Sequence, residues 1–265
     1  MNIFNSPGPD GDRAPQDAAW AGQADAIREL APNGQLRAAI NYGNPVLAQR
    51  DPATGEPAGV SADLARELAR RLGLDLRFVT FDSAGQVAGG AQDNVWDMAF
   101  LAIDPLRAET ISYTAPYVLI EGTYMVRDDS PIAAIGQVDR EGITVATGVG
   151  TAYDLYLSRT LAHARIVRYP TSEASMEQFD RDGLSTVAGV RQPLERHAQT
   201  HGGFRVLDGS FTTIRQAVGC PKGRDAAAAL LRQYVEFALQ SGFIQEGLRR
   251  SGQHDATVAP FDPAP

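Results

Sequence analysis

The chain has 265 residues, of which 24 are Lys or Arg and 32 are Asp or Glu, giving a formal net charge of −8. That balance argues against a general nucleic-acid binder, whose affinity for a polyanion comes from clusters of cations. The single cysteine, Cys220, excludes any intrachain disulfide and any zinc site built from several thiolates.

The N-terminal residues, about 1–18, are rich in Pro, Gly and Asp and are expected to form a loose tail, as are residues 252–265. The chain start has neither the basic nor the apolar region of a secretory signal. This leaves open a cytoplasmic protein, a removed signal or another export route. No uncharged apolar run approaches the roughly 18 residues of a membrane span, so no direct membrane insertion is expected.

A short helix is expected over Ala19 to Leu30, ended by Pro32-Asn33-Gly34. Leu36 to Ile40 reads as a strand, followed by a polar loop and a hairpin around Asp51 to Gly55. Asp63 to Leu72 is the clearest helix: Leu64, Ala65, Leu68, Ala69 and Leu72 form one apolar stripe, Asp63 reads as the N-cap, and Gly73 stops it. Leu74 to Phe78 alternates as a strand, Gly85 to Gln92 is a weaker helix, and Met98 to Ala102 is a third apolar strand. This rhythm is that of a sheet with crossover helices. From Gly142 it restarts: strand Ile143 to Ala146, a turn at Gly148-Val149-Gly150, and helix Thr151 to Leu161 capped by Thr151. Strand Arg165 to Arg168, helix Ser172 to Phe179 and strand Thr186 to Val190 follow. Phe204 to Leu207 and Thr213 to Gly219 are further strands, and helices cover Ala226 to Leu239 and Phe243 to Arg250. Two α/β lobes are the more economical reading, with a single doubly wound domain as the alternative.

Most chemical motifs fail on inspection. His197 and His201 stand four apart, but a zinc-protease helix needs Glu where Ala198 stands. No metal site and no cofactor are expected. Cys220 reads as a buried thiol. The segment from Trp96 to Tyr124 is different, since Asp104, Arg107, Glu109, Tyr113, Tyr117, Glu121 and Tyr124 directly follow an apolar strand. Open α/β sheets place ligands just past the carboxyl ends of their strands, and the Arg107 fork suits a carboxylate. A solvated helical turn starting at Asp104-Pro105 accounts for these residues equally well.

Several fragments in order carry a family resemblance over Leu36 to Ser251. They are the strand Leu36 to Ile40 with its loop Asn41-Tyr42-Gly43-Asn44-Pro45, then Gly59-Val60-Ser61-Ala62-Asp63-Leu64-Ala65 with Leu72-Gly73. Trp96-Asp97, Asp104-Pro105-Leu106-Arg107, Tyr113-Thr114-Ala115-Pro116-Tyr117 and Gly122 follow. The sequence resembles the amino-acid-type solute-binding proteins of bacterial ABC importers, family 3. The resemblance implies a two-lobed periplasmic-binding-protein-like α/β fold of type II, with a ligand cleft between lobes joined by two crossing strands. Lobe one would comprise 19–125 and 218–251 and lobe two 126–217, with hinges near Tyr124 to Arg127 and Gln216 to Cys220. It implies a periplasmic location, a small carboxylate-bearing solute, an ABC importer permease as partner, and a monomer.

On that resemblance Arg107 would pair with the ligand carboxylate and Tyr42 or Tyr117 would wall the cleft. Gly150 and Thr151 would bond the same carboxylate, and Asn41 and Ala102 would line the site. The family usually carries an Asp for the ligand's α-ammonium where Gly189 stands here, so Asp104 or Glu121 would meet any cationic end. Arg191 leaves room for a second anionic group. Two alternatives stand beside the transport receptor: a dehydratase on the same scaffold with Glu121 as the acid, and a sensing module not coupled to transport.

Overall fold

The structure, a computed structural model, describes residues 23–261. The chain opens with α1 (Ala24–Leu30), β1 (Gln35–Asn41), the antiparallel hairpin of β2 (Gln49–Arg50) and β3 (Pro57–Ala58), and α2 (Val60–Leu72). β4 (Asp75–Phe81), α3 (Ala84–Gly89) and β5 (Met98–Ala102) follow, and β1 lies between β4 and β5 with all three parallel. The stripe on α2 behaves as its spacing demands, with Leu64, Ala65, Leu68 and Ala69 buried, and Gly73 ends the helix in the left-handed region at φ 64°. The helix begins earlier than expected, because Gly59 (φ +94°) turns the chain where a Cβ would lie 2.7 Å from the Leu47 carbonyl. Asp63 therefore sits inside the first turn rather than at the cap, paired with Arg250 at 2.9 Å.

β6 (Ile111–Arg127) then runs out of this lobe into a second one. There β7 (Thr144–Gly148), α4 (Ala152–Thr160), β8 (Arg165–Tyr169), α5 (Ser172–Arg181), β9 (Thr186–Val190), α6 (Arg191–His201) and β10 (Phe204–Val206) succeed one another. β11 (Thr212–Pro221) returns to lobe one, where α7 (Asp225–Gln240), α8 (Phe243–Arg250) and β12 (Thr257–Val258) complete it. Hydrogen bonding orders the strands β4-β1-β5-β11-β6-β9-β7-β8, with β10 and β12 also on β6. Each lobe keeps its own parallel block, β4-β1-β5 and β9-β7-β8, and the antiparallel pair β6 and β11 stitches them together. This is the two-lobed α/β architecture, not a single doubly wound domain.

Three local differences from the sequence reading have physical reasons. The hinge segments Tyr124 to Arg127 and Gln216 to Cys220 are held by strands of one lobe, the first by β9 and β10 and most of the second by β5. Ile120 and Glu121 pair only with Ile214 and Thr213. Residues 252–261 do not form a loose tail: β12 pairs with β6, and Ala256 and Ala259 are buried. α6 was not foreseen; its Pro193 stands in the first turn, where a missing N–H costs nothing.

Candidate functional site

The carboxyl ends of β5 and β7 face each other across the lobes, and the loops that leave them build the inner end of the cleft. Asp104 turns the chain after β5, its Oδ1 accepting from the Leu106 amide at 2.9 Å, and a 3-10 turn folds Arg107 back over the strand end. Only 4% of Arg107 is exposed. It donates from Nη1 to the Ala102 carbonyl at 3.2 Å and from Nη2 to the Gly150 carbonyl of lobe two at 2.7 Å, with the Tyr113 hydroxyl beside it. Burial pulls this guanidinium below its ordinary value, opposed by the nearby Tyr113 and Asp104. Burial also pushes the Tyr113 phenol up to about 12, against the opposing pull of the adjacent Arg107 guanidinium, so it stays neutral.

On the opposing wall, Thr151 caps α4, accepting from the Asp154 amide at 3.1 Å and donating to the Gly148 carbonyl at 2.9 Å. Gly150 adopts φ +68°, and a Cβ there would lie 3.0 Å from the Cα of Gly85 in lobe one. The two lobes thus meet backbone to backbone at a pair of glycines. A second tie is the ion pair from Arg159 of α4 to Asp104 at 2.8 Å.

Between these walls is an inner chamber of about 30 Å³, adjoining an outer one of about 660 Å³. The inner chamber is lined by Asn41, Ala102, Arg107, Thr151, Tyr153, Ser172 and Gln216 among others, and Arg107 is its only charged residue. Gly43, Tyr153, Ser172 and Val190 border both chambers. The outer chamber has Tyr42, Arg50 and Asp82 on lobe one, against Glu173, Met176 and Glu177 of α5 and Arg196, His197 and His201 of α6. The Arg50 guanidinium lies 4.1 Å from the Tyr42 ring centroid, and the Tyr42 hydroxyl is buried without a partner. Burial beside His201 lowers the His197 pKa, so at neutral pH its ring is uncharged. Among the described residues no three His, Cys, Asp or Glu side chains are grouped to hold a metal ion.

Of the residues singled out in the sequence, Asn41, Tyr42, Ala102, Arg107 and Thr151 line this cleft. Asp104 and Gly150 are spent on interlobe contacts. The Gly150 amide does not point to a ligand; it donates to Asp154 Oδ2 at 2.8 Å. Tyr117 is no cleft wall: it is fully buried in the lobe-one core, its hydroxyl 3.2 Å from Ser61 Oγ and its ring edge-on to Phe100. Glu121 and Arg191 pair with each other, and Arg191 also donates to the Gly209 carbonyl. Neither lines a chamber. With its side chain 53% exposed, Glu121 is not an enclosed acid able to serve a dehydratase. The outer-chamber acids and Arg196 went unnoticed in the sequence, and His197 and His201 were weighed there only as a metal-binding pair. Glu173 and Glu177, four apart on a helix that starts at a strand's carboxyl end, were the available signal.

The family model for bacterial extracellular solute-binding proteins, family 3, matches residues 36–252. The glutamate-binding protein GluB of Corynebacterium efficiens is 25% identical over 249 residues, covering 86% of this chain and 84% of that protein. Among solved structures, the L-cysteine solute receptor of Neisseria gonorrhoeae superposes with a TM-score of 0.74 at 17% identity, covering 86% of this chain and 92% of that one. The P235GK mutant of ArgBP from T. maritima gives 0.73 at 19% identity, covering 86% and 99%. The chain belongs to the bacterial extracellular solute-binding proteins, family 3: it is a two-lobed receptor, rather than an enzyme, that captures a small amino-acid-like solute for delivery to an ABC importer.

Proposed function

We propose that the captured solute bears a carboxylate and that Arg107 receives it in the inner chamber. The observation that carries this reading is a buried guanidinium that is the only charge of its chamber and spends its hydrogen bonds on two backbone carbonyls. A buried cation held by two backbone carbonyls is poorly compensated, and a carboxylate compensates it fully through a bidentate pair. The capped start of α4 lies across the same chamber, adding a helix N-terminus that favours negative charge. In binding, the carboxylate takes over the donor now given to the Gly150 carbonyl, so ligand replaces one interlobe contact with a stronger one. The permease then reads the closed pair of lobes, since closure is the state the ligand favours.

Native mass spectrometry of freshly purified protein, followed by a thermal-shift screen of amino acids, betaines and small carboxylates, tests the reading. A retained carboxylate, or a melting shift of several degrees with that class alone, supports it. A shift produced by solutes lacking any carboxylate, and preserved in Arg107→Met, rejects it.

A further inference from the structure

The two chambers differ in where their carboxylates lie. The inner one offers Arg107 and no carboxylate at all. The outer one offers three, Asp82 from lobe one and Glu173 and Glu177 from lobe two, and none of these makes a side-chain hydrogen bond or ion pair. Facing them are two guanidiniums, of which Arg50 already lies on the Tyr42 ring.

We propose that the solute carries its cationic group at the far end of a chain, several bonds from its carboxylate, so that the carboxylate lies at Arg107 and the cation between Asp82 and the Glu173 and Glu177 pair. This rests on the carboxylate reading above. An ordinary α-amino acid bound at Arg107 would hold its ammonium two bonds away, in a chamber with no counter-ion, and an unpaired buried charge is strongly disfavoured. Gly189, where the resemblance would place an acid, has no side chain to supply that counter-ion. The inner space of about 30 Å³ has room for roughly two water molecules and takes only a small group. The rest of the solute must extend into the 660 Å³ chamber, where the carboxylates are. Because these carboxylates come from both lobes, a distal cation is clamped only on closure. The solute class is an ω-amino or ω-guanidino acid.

The test is calorimetry on the full chain with four probes: pentanoate, 2-aminopentanoate, 5-aminopentanoate and 6-aminohexanoate. One of the two ω-amino acids is expected to bind at least about tenfold more tightly than both pentanoate and the 2-amino isomer. In Glu173→Gln/Glu177→Gln, or in Asp82→Asn should the double variant fold poorly, that ratio falls towards one. A 2-amino isomer that binds most tightly, with affinity still dependent on Arg107, overturns this inference and leaves the carboxylate reading standing. An ω-amino preference unchanged in both sets of variants also overturns it. Pentanoate binding that survives Arg107→Met, or no binding by any of the four acids at millimolar concentration, overturns the carboxylate reading and this inference with it.

Discussion

Asp97 and Asp104 stand at opposite ends of β5, and both are buried aspartates bound by arginine. At the amino end, Asp97 takes the Arg37 fork at 2.8 Å through both Nε and Nη2, the Arg37 amide at 3.0 Å and Arg224 at 2.9 Å. Every one of these donors belongs to lobe one. At the carboxyl end, Asp104 takes its arginine from lobe two, and the neighbouring Arg107 reaches across to a lobe-two carbonyl. One strand thus carries the same chemistry twice, saturated and static at one end and divided across a gap at the other. The difference follows from direction: the carboxyl ends of parallel strands face the cleft, so an ion pair there breaks whenever the lobes part.

The comparison is broken most severely at Asp97. Asp97→Ala strands two arginines and should cost about 3–5 kcal/mol of stability by urea denaturation, while folded protein still binds its solute; a loss below about 1 kcal/mol would show that the cluster is not needed. Arg107→Met should do the reverse, costing about 2–4 kcal/mol of carboxylate binding by calorimetry with little change in melting temperature. Next comes pH. At Asp97 burial favours the neutral acid, but the hydrogen bonds from Arg37 and Arg224 outweigh it and hold the carboxyl below its ordinary 3.8. Its contribution is therefore present above that value and is lost as pH falls through the depressed folded one. Asp97→Asn should flatten the acid limb of a plot of urea midpoint against pH, and an unchanged limb would assign it to other groups.

Smaller effects sharpen the picture. Arg159→Ala removes an interlobe pair whose arginine side chain is 44% exposed, so a loss of only about 0.2–1 kcal/mol in affinity is expected. It should come with a larger solution radius of the ligand-free protein by X-ray scattering, and an unaltered radius would show that the pair does not hold the lobes together. Asp63→Asn should leave solute binding intact and shift stability by about 0.2–1 kcal/mol, since its pair with Arg250 lies at the surface.

Much of this was legible in the sequence because local pattern and fold agreed. The stripe of α2, the cap at Thr151 and the apolar run of β5 each have one economical outcome. The place of Arg107 at the inner chamber was legible from its position just past the carboxyl end of β5, although its chemistry alone suited a solvated turn equally well. The misreadings came from contacts between distant segments. Nothing near Tyr117 in the chain signals that Ser61 will receive its hydroxyl, and nothing near Glu121 signals that Arg191 will neutralise it. α6 escaped because Leu194 is its only fully buried side chain, too little to set a helical period, and its Pro193 resembles a breaker. With α6 unseen, the outer chamber had only one of its lobe-two walls.

The lone cysteine has its own consequence. Cys220 is fully enclosed on β11, and burial pushes its thiol up to about 11. At neutral pH only about one molecule in ten thousand would carry the reactive thiolate. A receptor that works outside the cytoplasm meets oxidants and foreign disulfides, and a surface thiol without an internal mate would be scavenged into mixed disulfides or covalent dimers. Sequestered in this way, the sulfur is chemically silent, and the two lobes stay free to hinge as one unlinked chain.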